Sequence, residues 1–262
     1  MKYKYLLFDL DGTLWDSREG ITKAVAYALE KMGYPVPEQQ ELSKFIGPPL
    51  TEAFPEYCGM TLEEARQGVD YFREYFSEKG IFENTLFPGV KEMLKKLKED
   101  GRVLCTASSK PEVHIETTFR NFGITDDFDY ICGGSLDESR CGKPKVIEEL
   151  LRRIGLTEEE WKTKALMIGD RKYDAEGAAL FGIPCLGTSM GFAPEGELEA
   201  AGVCGIVHSI EEMTEYILAI HFHIFLHRID GAGIQIRTAG ISGTQLQSRN
   251  RKNTASVRSK SM

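Results

Sequence analysis

Four short stretches of the chain carry side chains suited to ionic or nucleophilic chemistry: Asp9-Leu10-Asp11-Gly12-Thr13, Ala107-Ser108-Ser109-Lys110, Cys141-Gly142-Lys143 and Gly169-Asp170-Arg171-Lys172-Tyr173-Asp174. Singly, each has an ordinary explanation. Asp-Gly is a common turn, Ser-Ser-Lys can cap a helix, Lys143 can be a solvated charge, and Gly-Asp can be a loop with an N-cap. Each stretch, however, ends an apolar run or the loop after one. Parallel strands bring their C-terminal ends to one edge, so acids from two strands, a hydroxyl from a third and a lysine from a loop would converge there. Clustered carboxylates are costly unless a cation sits among them. Oxygen ligands select a hard divalent ion, and Mg²⁺ typically combines one or two carboxylates with waters and phosphate oxygens. Mg²⁺ and a phosphorylated ligand are therefore expected together, with Ser108 and Lys143 facing the phosphate oxygens that the ion leaves uncovered.

The elements that must position these groups follow from periodicity. Tyr5-Leu6-Leu7-Phe8 is an apolar run that breaks at Asp9, as a buried strand entering a loop does. From Ser17, a candidate N-cap, Ile21, Ala24, Val25, Ala28, Leu29 and Met32 recur at helical spacing up to a stop at Gly33. Helical spacing returns at Leu62, Ala65, Val69, Phe72 and Phe76, with no strand alternation between. After Phe87-Pro88-Gly89, helices near 90–99, 112–121, 144–153 and 174–181 alternate with apolar runs at 103–106, 130–132, 165–168 and 184–186, which predicts β-α-β units and a parallel sheet. The expected fold is α/β: a doubly wound parallel sheet, Rossmann-like, formed by residues 1–16 and 84–220, with an all-helical domain inserted after the first strand at 17–83. Residues 221–262 break the rhythm. The last 20 are rich in Ser, Arg, Lys, Asn and Gln, and a disordered, non-catalytic tail is expected there.

Composition bounds the classes. With 262 residues, 42% of them hydrophobic, 32 basic against 40 acidic and 10 prolines, the chain suits a globular protein, and no run reaches the ~18 apolar residues of a membrane span. The tail holds seven basic residues and one acid, which leaves an acidic body that attracts neither nucleic acid nor anionic lipid. That body also repels phosphate, so phosphate chemistry needs a local cation or a placed lysine. No membrane or nucleic-acid partner is expected, a cytoplasmic location is the default, and monomer and homodimer both remain open. The six cysteines form no C-x-x-C pair and are expected reduced and mostly packed.

In order and spacing, DLDGTLWDS, the Ser after the run VLCTA, Lys143 and GDRKYDAEGA resemble the four motifs of the haloacid dehalogenase superfamily of phosphatases. The insert is similar to the helical cap of its members, while FIGPPL (45–50), FPGV (87–90) and SSKPEV (108–113) resemble the phosphoglycolate phosphatase-like branch, which includes 5′-nucleotidases. The likeness covers residues 3–218. It implies Asp9 as the nucleophile that forms an aspartyl-phosphate and Asp11 as the group that protonates the leaving alcohol and then activates water. It further implies Ser108 at a phosphoryl oxygen, Lys143 as the neutralising cation, and Asp9, the backbone carbonyl of Asp11 and Asp170 around Mg²⁺, with Asp174 as a further ligand or a support behind them; Ser109, beside Ser108, is a candidate substrate contact. The substrate would be a small phosphorylated metabolite: phosphoglycolate first, a nucleoside 5′-monophosphate second. A β-phosphoglucomutase-like phosphomutase is the alternative activity, and intact acids argue against a non-catalytic phosphate-binding module.

Some choices stay open on sequence alone. Thr106 shares a strand face with Ser108, and Lys145 competes with Lys143 but lies a step further into the helix. Ser109, Lys110, Asp16, Arg140 and Arg171 are each either a substrate contact or, the ordinary case, a cap or surface charge. Trp15 is either a packing anchor or a pocket wall. His114 and His208 are expected to be structural or exposed, and Tyr71, Phe72, Tyr75 and Phe76 to form the core of the insert.

Overall fold

In chain order, the elements of the computed structural model are β1 (Tyr5–Phe8), β2 (Trp15–Asp16), α1 (Arg18–Lys31), α2 (Leu50–Cys58), α3 (Leu62–Glu78), β3 (Thr85–Leu86), α4 (Val90–Glu99), β4 (Val103–Thr106), β5 (Ser108–Pro111) and α5 (Glu112–Phe122). They continue with β6 (Gly133–Gly134), α6 (Lys143–Ile154), α7 (Glu158–Lys164), β7 (Ala165–Gly169), α8 (Lys172–Ala179), β8 (Cys185–Thr188), α9 (Glu197–Ala200), β9 (Gly205–Val207) and α10 (Ile210–Ala219). The structure describes residues 2–137 and 139–219. The expected disordered tail, 221–262, lies outside the described residues.

Five strands form one parallel sheet in the order β4-β1-β7-β8-β9. Side chains alternate across it. Leu6, Phe8, Leu104, Leu166 and Ile168 join Met93, Leu97, Phe119 and Met213 on one face, while Leu7, Cys105 and Met167 join Val146, Ile147, Leu150 and Ala178 on the other. Both faces are thus covered by helices, as an all-parallel sheet requires, and each fully buried Leu or Ile contributes about 1.5–3 kcal/mol. The chain steps from β1 to one neighbour, β4, and then returns to the other side through β7. The order therefore reverses at β1, and the crevice at a switch point lies beyond the strands' carboxyl ends.

Between β2 and β3 the chain is helical. Ala24, Val25, Ala28 and Leu29 of α1 pack with Ala53 and Phe54 of α2 and Ala65, Val69 and Phe76 of α3 into a separate core cluster. At its root, β2 and β3 pair antiparallel, Trp15 with Leu86 and Asp16 with Thr85, a stem that the sequence did not reveal.

Two local expectations change, and one helix is new. The run 130–132 is not a strand: the Thr106 hydroxyl donates to the Cys132 carbonyl and accepts from the Cys132 amide, both at 2.8 Å, and only a single bridge, Cys105 to Tyr130, remains. Ser17 begins α1 but does not cap it through its hydroxyl, because the Asp16 carboxylate accepts from the Arg18 amide instead (2.9 Å). Helix α7 was missed, although Thr157-x-x-Glu160 is a capping box that marks its start. No helix among the described residues is long and apolar enough to cross a membrane, and all six cysteines are free.

Candidate active site

The ends of β1, β4 and β7 lie level. The amide of Asp9 donates to Ile168 (2.8 Å) and that of Ala107 to Phe8 (2.7 Å), so Asp9, Ser108 and Asp170 leave three adjacent strands at one rim. Lys143 opens α6 beside them. Oxygens of Asp9, Asp170 and Asp174 lie within 4.8 Å of one another, and all three residues are buried. The ammonium of Lys143 donates to Asp9 and to the Ala107 carbonyl at 2.8 Å, and it forms an ion pair with Asp174 at 2.6 Å. Helix α8 starts two residues earlier than its periodicity predicts. That places Asp174 in the first turn, where its other oxygen accepts from the Arg171 amide at 3.1 Å.

Asp170 is fully buried. Thr13 donates to one of its oxygens (3.4 Å) and the Phe192 amide to the other (2.8 Å). Two glycines make room for it: a Cβ on Gly12, whose φ of +86° already excludes most residues, would sit 2.3 Å from its Oδ2, and one on Gly191 would sit 2.1 Å away. Burial pushes Asp9 up to about 6 against the pull of Lys143, with repulsion from Asp174 and Asp11 adding to the rise. Burial, then Asp9 and Asp174, lifts Asp170 well above the usual carboxylate range. Burial works against the charge on Lys143, but Asp174 and Asp9 outweigh it and hold the ammonium above its normal range. Three buried acids thus meet beside one buried ammonium that pairs with two of them, Asp9 and Asp174, and their oxygens are a hard donor set that fits a small divalent ion.

Asp11 stands apart from this cluster. Its carboxylate accepts from the Trp15 indole at 2.7 Å and from Lys110 at 3.2 Å on both oxygens. Lys110, expected as a cap or surface charge, is 8% exposed. Trp15 is wholly buried against Phe119, edge to face at 6.1 Å, so it packs and also holds Asp11. The obligate indole donor four residues after an acid was a legible signal for that contact.

The open alternatives resolve geometrically. Ser108 is buried and lines the cavity beside Asp9, whereas Thr106 is spent on Cys132. Lys145 is exposed and reaches the Ser139 carbonyl (3.2 Å). Ser109, Arg140 and His114 line the cavity. Burial pushes His114 down to about 4, with Lys110 and Arg73 adding to the drop. His208 is exposed, pairs with Ser189 at 2.7 Å and does not line the cavity, and Asp16 caps α1. Arg171 is not a surface charge. It is buried, forks onto Glu197 at 2.8 and 3.3 Å and donates to the Ile46 carbonyl of the insert. The cavity, about 160 Å³, runs from Asp9, Asp11 and Lys143 to a wall formed by the insert, including Ile21, Phe45, Val69, Phe72 and Phe76. Phe72 and Phe76 therefore serve the core of the insert and the cavity at once.

Residues 6–188 match the model of the haloacid dehalogenase-like hydrolases, and the chain belongs to that family. Its likenesses within the family are chiefly to phosphatases. A 5′-nucleotidase of Pseudomonas aeruginosa is 41% identical over 200 residues, 76% of this chain and 89% of its own. A phosphoglycolate phosphatase of Yersinia pestis is 30% identical over 193 residues, 71% and 80% of the two chains. Tyrosine-protein kinase PtkA of Mycobacterium tuberculosis is 33% identical over 212 residues, 80% and 71%. The crystal structure of a predicted phosphatase from Clostridium acetobutylicum matches with a TM-score of 0.79 at 41% identity, covering 83% of this chain and 99% of that one.

Proposed function

We propose that the protein is a Mg²⁺-dependent phosphomonoesterase that turns over a small phosphorylated metabolite through an aspartyl-phosphate on Asp9. One observation carries this: buried oxygens of Asp9, Asp170 and Asp174 meet within 4.8 Å around an ammonium that pairs with two of them. Asp9, Asp170 and the backbone carbonyl of Asp11 would hold Mg²⁺, with Asp174 beside them, and the bound ion would neutralise phosphate charge. Asp9 attacks phosphorus, the bond to the leaving oxygen breaks, and Asp11 gives that oxygen its proton. Asp11 then takes a proton from a water that attacks the same phosphorus, and Asp9 is freed. Splitting one displacement into two suits a carboxylate, a weak but ionised nucleophile. Lys143 holds Asp9 in line and neutralises charge on nucleophile and phosphate. Ser108, with Ser109 beside it, would bind a phosphoryl oxygen. The insert, whose residues wall the cavity, closes over the site and excludes water until the phosphoenzyme forms.

For the substrate, phosphoglycolate is the first expectation. The apolar wall of Ile21, Phe45, Val69, Phe72 and Phe76 supports the second, a nucleoside 5′-monophosphate, because a two-carbon acid would leave that wall facing water. The likeness to a 5′-nucleotidase points the same way. The test is phosphate release from a panel holding both compounds and a hexose 1-phosphate, with Mg²⁺ and with chelator. Mg²⁺-dependent release that Asp9→Asn abolishes is expected. Equal rates in mutant and wild type would sink the proposal, and an isomeric sugar phosphate in place of free phosphate would indicate a mutase.

A further inference from the structure

Two buried lysines divide the two acids of the first motif between them. Lys143 holds Asp9, as described. Lys110, from β5, holds Asp11: its ammonium lies 3.2 Å from both carboxylate oxygens, and its side chain is 5% exposed. An ammonium is buried at a cost of several kcal/mol unless it is well paired, so this contact demands a reason. The equal distances straddle the carboxylate and fix its plane. The Trp15 indole, 2.7 Å from Oδ1, fixes its rotation from another direction. The insert completes the seat. The ring of Phe76, on α3, lies 4.7 Å from the Lys110 nitrogen, with the ring of Trp15 at 5.9 Å. Aromatic faces at such distances attract a cation and shield it from water.

We propose that Lys110 is a positioning residue for Asp11, that it holds the carboxyl group at the place where the leaving oxygen departs, and that Phe76 ties this placement to the seating of the helical insert. The inference rests on Asp11 acting as the proton donor proposed above. Its consequence is selective. An alkyl ester needs a proton at its leaving oxygen, whereas p-nitrophenolate leaves with little help, so misplacing Asp11 harms the first far more than the second.

The experiment measures kcat/KM, which covers the steps through departure of the leaving group. It compares an alkyl monoester (AMP or phosphoglycolate, whichever turns over faster) with p-nitrophenyl phosphate. For Lys110→Met the loss on the alkyl ester should be ~10- to 100-fold, the scale of a misplaced catalytic group, and at least ~5-fold smaller on the aryl ester. Asp11→Asn should show the same pattern more strongly, and adding Lys110→Met to it should cost little more, because residues acting as a unit are not additive. Phe76→Leu, which keeps bulk and loses the ring, should shift the ratio in the same direction by less. If Lys110→Met does not give a cooperative melt, Lys110→Gln and Phe76→Leu carry the test. Equal losses on the two esters, or a full additive loss on top of Asp11→Asn, would mean that Lys110 binds substrate or merely supports the fold, and would overturn the inference. A leaving-group dependence absent from Asp11→Asn itself would instead remove the proton-donor role, and this inference with it, while leaving the nucleophile test on Asp9 intact.

Discussion

Lys143 stands 2.6 Å from Asp174 while the same ammonium reaches Asp9, so a single buried cation ties the first residue after β1 to the first turn of α8. Replacing it leaves two buried carboxylates without their counter-charge and the Ala107 carbonyl without its donor. Breaking a buried pair from one side costs about 3–5 kcal/mol, and Lys143→Met should lower stability by that order, read as the urea midpoint, and abolish phosphate release. The double variant Lys143→Met/Asp174→Asn should recover part of the stability and none of the activity.

Stability without a divalent cation should fall as pH rises. Asp9, pushed up to about 6, and Asp170, pushed well above the normal range, keep protons in the folded state that the unfolded chain gives up near 4. The folded state then binds more protons, so stability is greatest below about 4 as far as these two groups are concerned, and it is lost as pH climbs through about 6 and beyond. Mg²⁺ should reverse this. At a hundredfold excess over its dissociation constant an ion adds about 2.7 kcal/mol, roughly 5–10 °C for a domain of this size. Thermal melts at pH 5 and pH 8 with and without Mg²⁺ should show the larger shift at pH 8, and Asp170→Asn should remove it. A shift of equal size at both values would contradict the buried-acid account.

Gly191→Ala isolates the seat of Asp170 without backbone strain, because Gly191 does not occupy the left-handed region. Its new methyl would fall 2.1 Å from the carboxylate oxygen and 2.5 Å from the Asp170 Cβ, so the acid must move. A shifted ligand or ligand support typically weakens metal affinity 10- to 100-fold. The Mg²⁺ concentration for half-maximal activity should rise by about that factor, while the far-UV spectrum stays that of the wild type. An unchanged Mg²⁺ requirement would separate Asp170 from the metal.

What sequence reasoning captured and what it missed have physical causes. β1 was legible because four consecutive apolar residues end in Asp9, and β4 because its apolar run stops just before Ser108, which opens β5. The cluster of Asp9, Asp170 and Lys143 followed from parallel topology, which brings strand ends together however distant they are in the chain. Lys110 and Arg171 were misjudged because their burial depends on partners 99 and 125 positions away, Asp11 and Ile46, and nothing in their neighbours' types marks them as interior. The run at 130–132 failed for a different reason, since the side chain of Thr106 takes hydrogen bonds that a strand would have given to backbone.

Arg171 joins the sheet rim to the insert. Its guanidinium forks onto Glu197 and sends a third donor to the carbonyl of Ile46, just before Gly47-Pro48-Pro49, which line the cavity. The residue after a candidate metal ligand thus clasps the loop of the insert that lines the cavity. Arg171→Met should cost about 2–4 kcal/mol by stranding Glu197 and a buried carbonyl. Because that loop shapes the pocket rather than the reacting groups, KM should rise more than kcat falls. Arg171→Lys restores charge without the planar fork and should recover less than half of either effect. A fall confined to kcat would place Arg171 in the chemistry itself and not in the clasp.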